Sequence, residues 1–518
     1  MQQQYERIKH SGIVLDLPPE EVPPEAWTSG LNVHFKDLAT ERSGGYDEYA
    51  EPLPDFPNQQ PKFLMSLLTP SIAYWMYPTN DKIWVTDGLV HYDITPVGGI
   101  TPDIPLGSWT GCILNGIPVL NNQYDPPVWW DGNTANPMQV LADWPTGYTC
   151  KSLRSYKFHL FAFNITDDQG QNFPELLRWS NGADPGSLPT SWTPAADNDS
   201  GDAQLSSTPG GIVDAERLRD SLIIYKDFSC YVGQYVAGQY VFSFRKLFLT
   251  DGIQSTNCVA EVHGQHYVFT GDDVIRHDGN QSESLVTWKI KKSLLGAIDP
   301  ANKDACLVAA RHTTDELWIC IPEQGNELLT KAYIINLKTG DIGIRVLPQI
   351  AHVERGIVTA DEADIAWDDD PQAWDQDTTA WDQATYSVTA DSFLAADYEN
   401  SRLLSIDTLD SNAGEDVVAF FVRTGMDLGD WTKQKFVNAV YPRITGETGE
   451  TINIRVGYQN IFDEPITWSD QIPYVIGDDV YVPCQVTGRY ISIRFESVGG
   501  KRWQLHKYTL KYSTEGIY

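Results

Sequence analysis

The feature that most constrains this chain is a short β-hairpin phrase that recurs along much of its length. Its fullest form runs from His266 to Gly279, where two alternating apolar runs flank a turn at Gly271-Asp272-Asp273. Alternation with a period of two predicts strands, and clusters of Gly and Asp predict turns. Because one hairpin cannot bury both of its faces, copies of the unit must stack on one another.

Five further segment pairs follow the same pattern. They are 82–88 with 89–94, 116–122 with 127–132, 158–163 with 176–182, 316–321 with 332–340, and 392–396 with 402–407. A two-strand unit that returns every ~40 to 50 residues is typical of β-propellers. No WD40 or kelch signature occurs, so the sequence predicts a divergent propeller. An irregular stack of β-sandwiches is the alternative.

Length and composition indicate an all-β chain with more than one domain. The 518 residues exceed what one hydrophobic core usually holds, and Gly, Pro, Trp and Tyr are frequent while Met is rare. We predict an extended N-terminal arm with the first strands at 1–60, a β-propeller at 61–432, and a C-terminal antiparallel β-sandwich at 433–518. In residues 433–518, longer alternating runs replace the recurring hairpin phrase.

The charge balance limits the classes of partner. The chain has 70 Asp and Glu against 37 Lys and Arg, a formal net charge of −33. Such a surface repels nucleic acid and anionic membranes, which disfavours a protein that reads DNA. The polar N-terminus predicts no secretory signal, and no apolar run is long enough to span a bilayer. We therefore expect a protein made in a cytoplasm, without membrane insertion.

The sequence offers little catalytic chemistry. It contains no G-x-S-x-G, P-loop or H-E-x-x-H motif, and its seven scattered cysteines form no C-x-x-C pair. The acidic run 368–377 lacks the Gly and Glu that an EF-hand requires. His263, His266 and His277 lie near aspartates, but strand alternation scatters them over both faces, which favours a solvated turn. We expect no catalytic residue, no metal or cofactor site, and no enzyme.

Residues 361–390 form the most unusual stretch, with three Ala-Trp-Asp triplets at a period of seven. Pro371 and the many aspartates disfavour a helix here. Large aromatics beside carboxylates suit docking, so the sequence predicts an inserted interaction loop. A loop that packs on its own domain is the alternative. The candidate docking residues are Trp367, Trp374, Trp381, Asp368, Asp375 and Asp382.

Phrases at the start, middle and end of the chain carry a family resemblance. Proline pairs at 18–19 and 23–24 predict an extended arm that lies along another surface, and Trp27 and the phrases 30–37 and 41–46 follow. Later phrases stand at 178–192, 402–407, 417–429, 435–443 and 451–457. In this order they resemble the tail nozzle proteins of short-tailed bacteriophages, also called packaged-DNA stabilisation or tail tubular proteins. The second proline pair follows a valine, which departs from the family's Leu-Pro-Pro pattern.

The resemblance implies a structural protein of the virion tail, assembled in the host cytoplasm as a homohexameric ring. It would form the distal nozzle of the DNA-ejection channel and retain packaged DNA. Its partners would be the tail adaptor protein above it and tail fibres, a needle or a plug below. Viral DNA would pass with only transient contacts, because an acidic wall repels phosphates. The alternative is a carbohydrate-binding or carbohydrate-hydrolysing propeller whose tryptophans stack on sugars.

Overall fold

The fold is described from a computed structural model for residues 2–7, 12–36, 38–50, 53, 58–69, 72–236, 241–357 and 391–514. Within these ranges the chain is almost entirely β, which confirms the all-β prediction. The helical elements are α1 (Lys291–Ala297) and a 3-10 turn at Lys303–Ala305. Among the described residues, no helix is long and apolar enough to cross a bilayer.

The chain begins with five short strands that later join sheets built by distant segments. They are β1 (Gln2–Arg7), β2 (Ser29–Leu31), β3 (Val33–Lys36), β4 (Ala39–Arg42) and β5 (Tyr46–Glu48). The alternating segment predicted at Asn32 to Phe35 corresponds to β3. Each of these strands pairs with a strand far along the chain.

Five four-stranded antiparallel sheets then follow one another, and each uses four consecutive strands. Sheet 1 holds β6 (Met65–Leu68), β7 (Ala73–Pro78), β8 (Ile83–Thr86) and β9 (His91–Asp93). Sheet 2 holds β10 (Thr110–Leu114), β11 (Ile117–Asn121), β12 (Val128–Trp129) and β13 (Gln139–Val140). Sheet 3 holds β14 (Thr149–Tyr156), β15 (His159–Thr166), β16 (Asn172–Trp179) and β17 (Gly201–Gln204). Sheet 4 holds β18 (Ile212–Leu218), β19 (Ser221–Lys226), β20 (Cys230–Tyr235) and β21 (Phe242–Phe248). Sheet 5 holds β22 (Val259–Val262), β23 (Gln265–Phe269), β24 (Val274–His277) and β25 (Ser282–Ser284).

Two more groups of four strands share one long strand. Sheet 6 contains β26 (Leu307–Arg311), β27 (Glu316–Ile321), β28 (Leu329–Asn336) and the first part of β29 (Ile342–Ile357). Sheet 7 contains the second part of β29, then β30 (Asp391–Asp397), β31 (Arg402–Ile406) and β5. The pairing of β29 changes partner at Ile350, where its register is irregular. The start of the chain therefore supplies the fourth strand of the last sheet.

The first strands of these seven sheets lie next to one another in cyclic order. β10, β14, β18, β22, β26 and β29 are successive neighbours, and β29 also lies beside β6. There Ser66 Oγ donates a hydrogen bond to the carbonyl oxygen of Arg355 at 2.9 Å. Between sheets 1 and 2, a Cβ added to Gly111 would come within 2.6 Å of the Met65 sulfur. Every neighbouring pair of sheets in the circuit is thus in contact.

The strand pairs predicted from the recurring phrase are confirmed. In sheet 5, His266 lies opposite His277 and Phe269 lies opposite Val274. The other five predicted pairs correspond to β8 with β9, β11 with β12, β15 with β16, β27 with β28, and β30 with β31.

The remaining strands build the C-terminal part. They are β32 (Ser411–Asn412), β33 (Glu415–Asp416), β34 (Phe420–Met426), β35 (Lys435–Gly446), β36 (Thr451–Gln459), β37 (Thr467–Trp468), β38 (Ile472–Val475), β39 (Val482–Gly488), β40 (Tyr490–Ser497) and β41 (Trp503–Thr514). A six-stranded sheet joins β2, β34, β40 and β36 to β37 and β38. A second layer joins β39, β35 and β41 to β1 and β4. Side chains of both layers, including Val440, Leu505, Ile454 and Phe495, belong to one hydrophobic core.

The N-terminal arm packs between β29 and the C-terminal layers. The amide of Ile13 donates to the carbonyl oxygen of Ile342 at 2.8 Å. The Arg423 guanidinium donates to the carbonyl oxygens of Pro19 at 2.8 Å and Val22 at 2.7 Å. These bonds hold backbone that the proline pairs keep out of helix and sheet. Residues 12–35 of the arm, which we call the strap, thus contact both β29 and the C-terminal layers.

A buried carboxylate joins the arm, the last two sheets and the C-terminal part. Asp407, directly after β31, accepts hydrogen bonds from Arg345 on β29 and, at 2.9 Å, from Arg311 on β26. Arg345 also donates to the carbonyl oxygen of Gly44 at 2.9 Å, and Arg502 donates to the Asp407 carbonyl oxygen at 2.7 Å. Four separate segments are thus tied to one residue.

Trp27 provides a test of the strap. Its side chain is fully buried, its ring centroid lies 4.5 Å from that of Phe421, and its Nε1 donates to Thr40 Oγ1 at 3.0 Å. Trp27→Ala should lower the free energy of unfolding by about 3–5 kcal/mol, measured by urea denaturation. Trp288→Ala is the matched control, because Trp288 is 75% exposed and should change stability little. Equal effects of the two substitutions would show that the arm does not contribute to the core.

Candidate functional site

A cavity lies where the first strands of all seven sheets meet. Its volume is about 540 Å³, which falls in the usual range for small-molecule sites. Phe63 and His352 stack at one end with ring centroids 4.4 Å apart, and both are buried. Leu68 and Ile113, which also line the cavity, are 49% and 41% exposed. The cavity is therefore closed at the Phe63 end and open at the Leu68 end.

A buried ion pair crosses the wall between sheets 3 and 4. Arg154 on β14 donates two hydrogen bonds to Asp214 on β18, at 2.8 and 2.6 Å. The same guanidinium donates to the Gly111 carbonyl oxygen at 2.9 Å and to the Asn257 side-chain oxygen at 2.8 Å. A bidentate pair with these added bonds fixes the geometry of four neighbouring sheets. Arg154 therefore holds these neighbouring strands in fixed positions relative to one another.

Two glutamates on the same wall, Glu354 and Glu216, have raised pKa values. Burial raises the pKa of Glu354 to about 7, although the Arg355 amide and the charges of Arg154 and Arg355 oppose the rise. Burial also raises the pKa of Glu216, against the attraction of Arg154. The charge of Glu216 raises the pKa of Glu354 further, because like charges repel in a poorly solvated space. The cavity therefore holds a carboxyl group that titrates near neutral pH.

His352 forms part of the closed end. Burial lowers its pKa to about 3, and the charge of Arg154 lowers it further, so the ring is neutral at pH 7. Its Nδ1 atom is buried without a hydrogen-bond partner among the described residues. The ring therefore packs as an apolar group against Phe63 at the base of the cavity.

Two of the three histidines assigned to a solvated turn are instead buried, so that prediction is wrong for them. His266 and His277 are 0% and 1% exposed, and each lies 2.7 Å from the Tyr225 hydroxyl. His266 Nε2 donates to the Arg217 carbonyl oxygen at 2.9 Å, so its Nδ1 must accept from Tyr225. The Tyr225 oxygen then accepts from His277 Nε2. Adjacent strands put the two histidines directly opposite each other on the buried face, which alternation alone does not reveal.

The predicted docking residues, Trp367, Trp374, Trp381, Asp368, Asp375 and Asp382, lie outside the described residues. The positions that flank them are defined. Ile357 ends β29 opposite Asp391, which begins β30. Since Phe63 lies beside His352 and Ser66 beside Arg355, Ile357 is level with Leu68. Ile357 and Asp391, the described residues on either side of the predicted docking residues, therefore lie at the open end of the cavity.

The cavity itself was not found from the sequence. Glu216, Glu354 and Arg154 all lie on the first strand of a sheet, whereas the recurring phrase covers the later strands. A glutamate within a first strand, as at Val353-Glu354-Arg355, was the available signal. In the described part of the chain, no three His, Cys, Asp or Glu side chains converge to hold a metal ion.

Comparisons with known proteins give distant likenesses. No protein-family model matches the chain, and no curated protein matches it in sequence. PorZ, a surface component of the type-IX secretion system of Porphyromonas gingivalis, aligns with TM-score 0.37 and 9% identity over 85% of this chain. This chain spans 46% of PorZ, less than half its length. A fungal alcohol oxidase of the AA5 family, in complex with copper, aligns with TM-score 0.41 and 9% identity over 86% of this chain and 93% of the oxidase. Similarity at this level does not identify a shared fold or activity.

Glu354 makes the stability of the protein depend on pH. Its folded pKa of about 7 exceeds the ordinary value of 4.5, so ionising it opposes folding. The stability that its protonated form confers is complete below pH 4.5 and is lost as the pH rises through 7. A glutamine at this position cannot ionise, so Glu354→Gln should gain about 3 kcal/mol of stability over the wild type between pH 4.5 and pH 8. Urea denaturation at both pH values measures the gain.

The matched control is Glu20→Gln, which removes an exposed carboxylate of the arm. Its stability difference from the wild type should not change with pH. A pH-independent difference for Glu354→Gln as well would mean that the Glu354 carboxyl is well solvated.

Proposed function

We propose that this chain is a structural subunit of a short bacteriophage tail, assembled as a ring that forms the distal nozzle of the DNA-ejection channel. The observation that carries the proposal is the placement of the proline-rich arm. Residues 12–46 carry the first part of the nozzle resemblance, and they are the strap and closing strands that join the sheets to the C-terminal part. The residues that carry the first part of the resemblance thus connect parts of the fold, which is what a structural role requires.

The proposal includes a seven-bladed β-propeller followed by a C-terminal sandwich. Seven four-stranded sheets with neighbouring first strands in cyclic order are the arrangement that a propeller needs. Pairing of β5 with β31 supports it, since a strand from the chain start then completes the last blade. A ring closed in this way leaves only short outer strands unpaired on most blades, which protects a β protein from edge-to-edge association.

The channel of the proposed nozzle would run between subunits. The cavity inside one chain has a volume of about 540 Å³ and a closed end, too little for a duplex whose major groove alone is about 12 Å wide. Several copies, each with formal charge −33, would surround the DNA instead. Such a wall repels phosphates and lets DNA slide without being held.

One observation favours the carbohydrate-hydrolysing alternative. Glu354 has a pKa near 7 inside a cavity, which is the state that a general acid needs, and Glu216 shares the wall. Against it, the Arg154 guanidinium on the cavity wall is bound to Asp214 and Asn257 rather than available to a ligand. The cavity therefore suits a packed propeller axis better than an active site.

Sedimentation velocity and electron microscopy of the purified protein test the assembly. We expect a ring of several copies, formed by the protein alone or on mixing with the tail adaptor protein. We also expect no turnover of glycan or peptidoglycan substrates. A protein that stays monomeric in both conditions and hydrolyses a glycan, with activity lost in Glu354→Gln, would establish the alternative.

The tryptophan segment provides a second test of the proposal. We propose that it docks a fibre or plug, because its flanking residues lie at the open end of the cavity and its sequence combines aromatic area with negative charge. Changing Trp367, Trp374 and Trp381 to Ala should leave the melting temperature nearly unchanged and weaken incorporation into tails or fibre attachment.

Trp431→Ala is the control for this test, since Trp431 is an exposed tryptophan elsewhere on the surface. A large drop in melting temperature for the triple variant would place the three side chains in the core. Normal stability with normal attachment would remove the docking role.

A further inference from the structure

The outer strand of sheet 4 differs from the outer strands of the other consecutive sheets. β21 has seven residues, whereas β9, β13, β17 and β25 have three, two, four and three. Among the described strands β21 pairs with β20 alone, so its second edge is open. At about 3.4 Å per residue this edge is ~24 Å long. A long open edge is a template for association unless something controls its partner.

Two cations stand in the middle of this edge. Arg245 and Lys246 are both exposed, and neither has an ion-pair partner among the described residues. Neighbouring strand positions point to opposite faces, so positive charge occupies both sides of the edge. In a chain with 70 acidic and 37 basic residues, two adjacent unpaired cations are a local exception.

Large apolar side chains are exposed at both ends of the same hairpin. Cys230 on β20 lies opposite Phe248 on β21, and Phe228 and Leu249, just beyond that pair, are 65% and 66% exposed. At the other end, Tyr235 is 43% exposed. Exposed apolar side chains of this size add contact area that a partner surface can bury.

The charges restrict which partner can use this edge. Two copies of β21 paired about a two-fold axis would place Arg245 and Lys246 opposite the same cations, and like charges directly opposite destabilise a strand pair. A partner with an acidic surface has no such penalty. A second copy of this chain, with a formal net charge of −33, is a partner whose surface charge is predominantly negative.

We propose that the free edge of β21, with Arg245 and Lys246 at its centre and Phe228 and Leu249 at its end, docks on a different, acidic surface of a second copy of this chain. The contact is head-to-tail, and repeated contacts of this kind close into a ring when the rotation per subunit allows it. The inference rests on the proposed ring assembly and names the surface that drives it.

The experiment reverses the two cations and measures self-association. Arg245→Glu with Lys246→Glu should weaken association by more than about tenfold, because attraction to an acidic surface becomes repulsion. Wild-type association should also weaken between 0.1 M and 1 M salt, where charge interactions are screened. Sedimentation velocity over a concentration series gives both results, and thermal melting checks that each variant is folded.

The matched control is Lys303→Glu with Arg443→Glu. It changes one Lys and one Arg, both exposed and both away from sheet 4, and so alters the net charge equally. It should associate like the wild type. If the Glu variant of β21 melts at a lower temperature, Arg245→Gln with Lys246→Gln removes the cations without adding anions, and the same loss of association is expected.

The outcomes separate this inference from the proposed nozzle. Loss of association in the β21 variants alone supports the docking edge. Equal association of the wild type and both β21 variants overturns the docking edge and leaves a ring possible through another surface. A wild type that stays monomeric at every concentration, with or without the adaptor protein, overturns both. Association that depends on β21 but gives open filaments, never incorporated into tails, supports the edge and overturns the nozzle.

Discussion

The fold depends on the buried carboxylate of Asp407. Burial alone would raise the pKa of this group, but the charges of Arg345, His34 and Arg311 hold it well below its usual range, so it stays ionised. Removing one partner from a buried ion pair typically costs 3–5 kcal/mol, because the other charge is left without compensation. Since the partners come from β26, β29 and the residues around Gly44, a local change at Asp407 would affect the sixth and seventh sheets and the arm together.

The arm and this carboxylate explain how a chain of successive hairpins becomes one body. Each hairpin sheet is local in sequence, but β5 pairs with β31 across more than 350 residues, and β4 pairs with β41 across more than 450. Trp27 fills the core between these long-range strands, where its ring meets Phe421, Phe495 and Tyr508. The N-terminal residues therefore connect the sheets to the C-terminal part, together with the hydrogen bond from Arg502 to Asp407.

The sequence predicts the parts of this architecture that depend on neighbouring residues. Alternation and turn residues identify every hairpin of the recurring phrase, because a strand pair joined by a short turn is determined by neighbouring residues. The same reasoning identifies the strap, since proline pairs exclude other conformations. It fails at His266 and His277, because alternation separates the two faces of a strand without stating which face is buried. It also fails at Glu354 and Arg154, whose environment exists only once seven distant first strands meet.

The pairing of β5 with β31 means that one strand of sheet 7 is made long before its partner. β5 is synthesised early but has no partner in sheet 7 until residues 402–406 exist, so the last sheet stays incomplete during most of synthesis. Long-range β pairing is slow, and open strand edges meanwhile invite wrong association. In this period the cations of β21 oppose pairing of that edge with the same edge of another copy, since like charges would face each other. Arg245 and Lys246 thus oppose pairing between two β21 edges and favour an acidic partner. The same edge is therefore protected from wrong pairing during folding and available for docking afterwards.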